Sequence, residues 1–221
     1  MTKDSSQPHP RRRRPRGSLT REAILDAAEA IAAGDGFGAL SMRAVAARLE
    51  AAPMALYNHV ATRDALVDGL LDRVLHRFEP EPPTADWAED LHRFARAHRR
   101  LLVAHPWAVA PLFSQPNPGL GAVRIGEHAL GILRRGGYDG DRAVAAFSGL
   151  IALNYGWSSF TAARELDPRG ATGAVTAMLS TLPAEHFPLT VAVAGEMGAY
   201  GSDAHYELVL GALVDGLVSG R

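Results

Sequence analysis

Three hydroxyl residues, Thr20, Ser41 and Thr62, each stand just before a run of apolar residues at helical spacing. A short polar side chain in that place accepts from the free N–H groups of a helix's first turn, so each predicts a helix start. Behind Thr20, with Glu22 in the first turn, Ile24, Leu25, Ala28 and Ile31 share one helix face. Gly34-Asp35-Gly36 stops that helix. Ser41 opens a second, short stripe of Met42, Val45, Ala46 and Leu49. The turn Glu50-Ala51-Ala52 follows, and Pro53 opens a third helix that ends near Val60. Thr62 opens a fourth, striped by Leu66, Val67, Leu70, Leu71, Val74 and Phe78.

The remaining chain continues in helices. Three prolines between Glu79 and Pro83 break it into a loop, and Asp86 with Glu89 three residues later is a capping-box-like restart. Trp87, Leu91, Phe94, His98, Leu101 and Leu102 follow at helical spacing. Pro106, Pro111, Pro116 and Pro118 confine any next helix to short pieces. Helices are expected over 120–135 and 141–166, divided by Gly136-Gly137 and ended by Pro168. Shorter ones are expected over 171–181 and 189–200, and Asp203 is expected to cap a last one reaching Leu217. No stretch alternates as a strand would, and no internal repeat shows. The expected fold class is all-α: an N-terminal helix-turn-helix plus a helical-bundle core.

Composition narrows the function classes. Hydrophobic residues make up 47% of the 221, enough for a proper core. No apolar run approaches the ~18 residues of a membrane span, so no membrane partner is expected. The polar, arginine-rich N-terminus does not read as a secretory signal. With no cysteine, disulfides and thiolate metal sites are out, and a reducing cytoplasm is the expected location. The net charge of −1 hides an asymmetry: residues 1–63 carry ten Lys and Arg against six Asp and Glu, and residues 64–221 carry thirteen against eighteen. A basic head on an acidic body suits a polyanion partner, here double-stranded DNA. A solvated tail would have the same composition, since Arg11 to Arg14 and Arg16 supply half the head's basic count. Residues 1–17 are therefore read as a disordered basic arm, 18–63 as a DNA-binding domain and 64–221 as the core.

Two short helices, 41–49 and 53–60, joined by a tight turn have helix-turn-helix dimensions. The second would enter the major groove, exposing Pro53, Met54, Asn58 and His59 and turning Leu56 and Val60 inward. Tyr57 and His59 offer donors to phosphate oxygens, and Arg43 and Arg63 add charge on the same side. A plain helical hairpin would share this geometry.

From Thr20 to Leu71 the chain resembles the TetR family of one-component repressors. The stretches that carry the likeness are TREAILDAAEAIA, GFGALSMRAVAARL and PMALYNHVATRDALVDGLL. Leu101–Pro106, Arg134–Tyr138 and Tyr206–Leu217 resemble, more weakly, a tetracycline-repressor type of core. The resemblance implies a base-reading role for Arg43, a base-facing triplet in Pro53, Met54 and Ala55, and phosphate anchoring by Tyr57, His59 and Arg63. With Ser41 and Asn58 these are the expected DNA-binding residues. The sequence departs from the family pattern at Ala52, where a serine cap is common, and at Glu50, where the turn usually holds glycine; either its left-handed position is strained or the turn differs locally. Few of the base-facing side chains can hydrogen-bond, so readout should lean on Arg43, Asn58 and contact with thymine methyls. In the tetracycline-repressor type a histidine after helix 5 holds magnesium. Here that segment reads Ala110-Pro111-Leu112-Phe113-Ser114, so neither a metal nor another cofactor is implied.

Other chemistry finds little footing. The nine histidines include no His-Glu-x-x-His and no pair four apart. Gly34-Asp35-Gly36-Phe37-Gly38 lacks the strand and Lys-Ser/Thr of a phosphate loop, and no Gly-x-Ser-x-Gly elbow is present. A helical enzyme would need a convergent acid–base or nucleophile set, which is not found, so none is expected; a helical protein–protein adaptor is the other alternative. Trp107, Leu112, Phe113, Tyr155, Trp157 and Phe160, with Asn154 and Ser158 as polar anchors, are the expected lining of a pocket for an apolar small-molecule effector. A homodimer is expected, joined by the helices near 141–166 and 203–217, where Gly149, Gly211 and Ala212 permit close approach.

Overall fold

The computed structural model describes residues 19–114, 119–166 and 171–220. The basic arm lies outside the described residues. Within them the chain is helical and contains no strand. The head consists of α1 (Arg21–Gly34), α2 (Met42–Arg48) and α3 (Pro53–Leu56), with a 3₁₀ turn at Phe37–Ala39. Next come α4 (Arg63–Leu75), α5 (Trp87–Ala104), α6 (Pro106–Ser114), α7 (Leu120–Arg135) and α8 (Gly140–Leu166). Then follow α9 (Ala171–Ser180), α10 (Pro188–Ala192) and α11 (Asp203–Ser219).

The three hydroxyl caps form as expected. Thr20 Oγ1 accepts from the Ala23 N–H at 3.1 Å, Ser41 Oγ from Ala44 at 3.1 Å and Thr62 Oγ1 from Ala65 at 3.0 Å. Asp86 caps α5, accepting from Ala88 and Glu89. The apolar stripes behind these caps are buried and join one continuous core that runs from α1 to α11. Two differences from expectation fall in the core. Ser202, not Asp203, caps α11: its backbone is extended and its hydroxyl accepts from the His205 N–H, while Asp203 is the first helical residue. The expected 189–200 helix stops at Ala192 and resumes only as a 3₁₀ turn at Glu196–Ala199, because Gly195, Gly198 and Gly201 interrupt it.

α4 is the joint between head and core. It packs on α1 on one side and on α6 and α7 on the other. Arg73 reaches Asp26 at 2.5 Å, and Arg77 clasps both oxygens of Glu29 at 2.5 and 2.8 Å. The Arg77 hydrogen bond holds the Glu29 carboxyl below its ordinary pKa. The folded pKa is the lower one, so this clasp is intact at neutral pH and loosens as pH falls through the acid range. On the core side, Asp72 Oδ1 accepts from the Gly121 N–H at 2.8 Å. A Cβ on Gly121 would stand 2.9 Å from the Asp72 carbonyl, so only glycine lets α7 start so close to α4. In the core, α5 runs through the middle, in contact with α6, α7, α8 and α11.

Candidate DNA-contacting surface and ligand cavity

The head's shape follows from local hydrogen bonding. At the end of α2 the Ala51 N–H reaches the Ala46 carbonyl at 2.9 Å and the Glu50 N–H reaches Ala47 at 3.1 Å. This paired closure requires a left-handed residue, and Glu50 supplies it at φ 52°. The same pair of bonds ends α7, where Tyr138 bonds Leu133 and Gly137 bonds Arg134; there glycine holds the position at φ 83°. Ala52 precedes α3 with no side-chain cap, and Pro53 is its first residue. The uncapped helix makes one regular turn and then tightens: His59 and Val60 both donate to the Leu56 carbonyl at 2.9 Å. The recognition segment is thus a short helix, Pro53–Leu56, followed by a turn, where a helix to residue 60 was expected.

This winding buries Leu56 and Val60 and exposes Pro53, Met54, Tyr57, Asn58 and His59, with Ala55 half-buried. Met54 is 75% exposed. Arg43 is exposed on α2, as is Arg48, which was not singled out from sequence. Ser41 uses its oxygen as a cap acceptor, which leaves its hydroxyl proton uncommitted. Arg63 is exposed but also braces the head: its Nε donates to the Leu40 carbonyl at 3.2 Å and its guanidinium sits 5.7 Å from the Phe37 ring centre.

A cavity of about 420 Å³ lies among five helices of the core. Its walls are Leu75 of α4, His98 of α5, Leu112, Phe113 and Ser114 of α6, Ala122 and Ile125 of α7, and Phe147, Ile151 and Tyr155 of α8. None of these is charged. The volume falls in the usual range for small-molecule sites, roughly 300–1,000 Å³.

The structure divides the eight residues expected to line a pocket. Leu112, Phe113 and Tyr155 line the cavity, with the Phe113 and Tyr155 rings edge to face at 6.0 Å. Trp107 is half-buried beside His105 and is not part of the wall. Trp157 joins α8 to α11: its indole N–H donates to the Ser202 carbonyl at 3.0 Å and its ring meets Tyr206. Phe160 packs on Tyr200 and faces a separate groove. Ser158 is buried away from the cavity, its Oγ without a partner. Asn154 is fully buried and spends its amide on Ala95, His98 and Tyr206, so it is a link between helices and not a free anchor. Sequence reasoning missed His98 as a cavity residue, along with the α4 and α7 walls. One signal was available: Phe147, Ile151 and Tyr155 recur every four residues, a stripe on one face of α8.

Comparison with known proteins follows the same division. The model of bacterial regulatory proteins of the tetR family matches residues 24–70, and that of the tetracyclin repressor-like C-terminal domain matches residues 79–220. An HTH-type transcriptional regulator of Saccharopolyspora erythraea is 32% identical over 207 residues, covering 91% of this chain and 85% of that protein. The crystal structure of ActR of Streptomyces coelicolor in complex with actinorhodin superimposes with a TM-score of 0.84 at 30% identity, covering 92% of this chain and 99% of that one. The class A tetracycline repressor of Escherichia coli is 28% identical over 192 residues, 84% of each protein.

Proposed function

The chain belongs to the TetR family of bacterial regulatory proteins, and from that premise we propose that it represses transcription as a homodimer released from DNA by a small, largely apolar molecule. It is a transcriptional regulator with a DNA-binding head and a ligand-binding core. Its relatives are regulators and not enzymes, and no catalytic role is proposed. We place its work in the cytoplasm.

The observation that carries the reading is α4, which bears the head and walls the cavity at once. Arg73 and Arg77 hold it to α1, and Leu75, between them in sequence, faces the cavity. A ligand that fits the cavity better in one position of α4 than in another moves the head, by its differential affinity alone. In the head, Ser41, Arg43, Pro53, Met54, Ala55, Tyr57, Asn58, His59 and Arg63 form the DNA surface within residues 18–63. Arg43 and Asn58 read base edges, Met54 and Ala55 offer apolar contact to thymine methyls, and Tyr57, His59 and Arg63 hold phosphates. In the core, residues 64–221, Leu112, Phe113 and Tyr155 with His98, Phe147 and Ile151 hold the effector. The similar ActR was solved with actinorhodin bound, which supports a small-molecule effector without naming this one.

One head buries too little surface for specific affinity, so two must act together on a pseudo-palindromic site. The surface for pairing is the outer face of α8 and α11. Val144, Leu208, Val209 and Val218 are exposed there, and a Cβ added at Gly149, Gly156 or Gly211 would meet open space. Leu213 is half-buried against the core, so Leu208, at 71% exposure, is the cleaner probe. A gel shift with DNA from the region upstream of the protein's own gene tests the whole reading: a discrete complex carrying two chains is expected, and Leu208→Arg should abolish it by yielding monomers in sedimentation. A folded protein that shifts no such DNA at low salt would overturn it.

A further inference from the structure

The cavity is apolar, but one polar group in its wall has its chemistry set by groups behind it. Asn154 is buried between α5, α8 and α11. Its Nδ2 donates to the Ala95 carbonyl at 3.0 Å and lies 3.0 Å from His98 Nδ1, while its Oδ1 accepts from the Tyr206 hydroxyl at 2.8 Å. The Ala95 carbonyl is an acceptor only, so it fixes which end of the amide carries hydrogens. The amide's second hydrogen then points at His98 Nδ1, which must accept it. The Tyr206 hydroxyl, its pKa raised by burial, stays protonated and satisfies Oδ1.

His98 is therefore a neutral imidazole with its single proton on Nε2. Burial agrees: it lowers the pKa of this histidine to about 4. The ring stacks on Phe94, meets Phe78 and Tyr155 edge to face, and has no charged neighbour among these contacts. His98 lines the cavity, and among the described residues none is seen to accept from Nε2. A ligand that covers this N–H and supplies an acceptor keeps it hydrogen-bonded, whereas one that covers it without an acceptor strands it, so the first binds more tightly.

We propose that the cavity selects a neutral, ring-sized apolar molecule bearing a carbonyl-type oxygen, which accepts from His98 Nε2, and that Asn154 is the positioning residue that keeps this proton in place. This rests on the cavity being the effector site. An ammonium, which can only donate, would not match a donor, and a carboxylate would bring a charge that no cavity residue offsets. Because Asn154 also holds Tyr206, the donor is tied to α11, one of the two helices proposed to pair.

The test uses the full-length protein and two probes of the same shape, 9-fluorenone and fluorene, which differ by a carbonyl. Calorimetric titration should show fluorenone binding about three- to tenfold more tightly, the worth of one such hydrogen bond. His98→Phe should erase the difference between the two probes. Independently of any variant's stability, nitrogen NMR of histidine-labelled wild-type protein should show His98 protonated on Nε2 alone from pH 7.5 to 5.5, with that proton shifting on fluorenone but not fluorene. Asn154→Asp should move the proton to Nδ1. Equal binding of both probes, or a proton on Nδ1 in the wild type, overturns the donor assignment and leaves the cavity reading intact. Binding of neither probe overturns both.

Discussion

The head and the core obtain their sites in opposite ways. In the head, the reactive surface is what remains outside once Leu56 and Val60 turn inward, and its form is set by caps and turn bonds a few residues apart. In the core, the site is a gap that five helices leave between them, with residues from Leu75 to Tyr155 on its walls. A surface built locally can be altered one side chain at a time. A gap built from afar changes whenever any wall moves. The two sites also differ in charge, since the head presents Arg43, Arg48 and Arg63 while no charged residue lines the cavity.

That contrast can be pressed hardest with salt. DNA affinity should fall by orders of magnitude between about 50 and 200 mM salt, as phosphate contacts release counterions. Removing residues 1–16, which hold six Lys and Arg against one Asp, should lower both affinity and slope. Probe binding in the cavity should stay flat over the same range. Anisotropy titrations of DNA and calorimetry of probe check the pair, and a salt-independent DNA affinity would erase the electrostatic difference.

A substitution in the shared helix should blur the contrast. Leu70 is fully buried, and Leu70→Ala should cost about 2–5 kcal/mol. Head and core should still melt in one transition at a lower temperature. Two separate transitions in calorimetry would mean that α4 does not couple them.

Within the head the two kinds of contact should separate. Arg43→Ala should cost about 1–3 kcal/mol on the operator and relax preference at one position per half-site. Tyr57→Ala should weaken all sequences alike. A panel of operator variants in gel shift distinguishes these outcomes, and neither change should alter probe binding in the cavity.

The smallest effect expected is a gain. Glu50 and Gly137 close their helices with the same bonds and both lie at positive φ, a conformation that costs a side chain roughly 1–2 kcal/mol. Glycine's greater freedom when unfolded offsets part of that relief. Glu50→Gly should therefore stabilise the protein by about 0.5–1 kcal/mol, read from denaturant midpoints, without changing the core's ligand response.

The same contrast explains what could be read in advance. Thr20, Ser41 and Thr62, the stripes behind them and the strained position at Glu50 depend on neighbours in sequence, and each has its expected place in the structure. The cap of α11 was misplaced by one residue because Ser202 and Asp203 are both good capping types; only backbone geometry chooses between them. The cavity was half legible. Leu112, Phe113 and Tyr155 were in view, but Asn154 and Trp157 had looked like ligand groups because a polar and an aromatic residue side by side suit a pocket. Their partners, Tyr206 and Ser202, lie about fifty residues away in the chain. His98 was read as one more apolar-face position of α5, since nothing near it in sequence announces Asn154.

The sharing of α4 also shapes how mutations in this protein would be inherited as phenotypes. Alleles at Leu66 or Leu70, which loosen the helix, should leave the target genes constitutively on. Alleles that enlarge Leu75 into the cavity should do the reverse, producing a regulator that holds DNA and no longer hears its signal. Opposite phenotypes would then map within three turns of one helix, and at its end to different faces of it, since Arg73 and Arg77 grip the head on either side of Leu75, which walls the cavity.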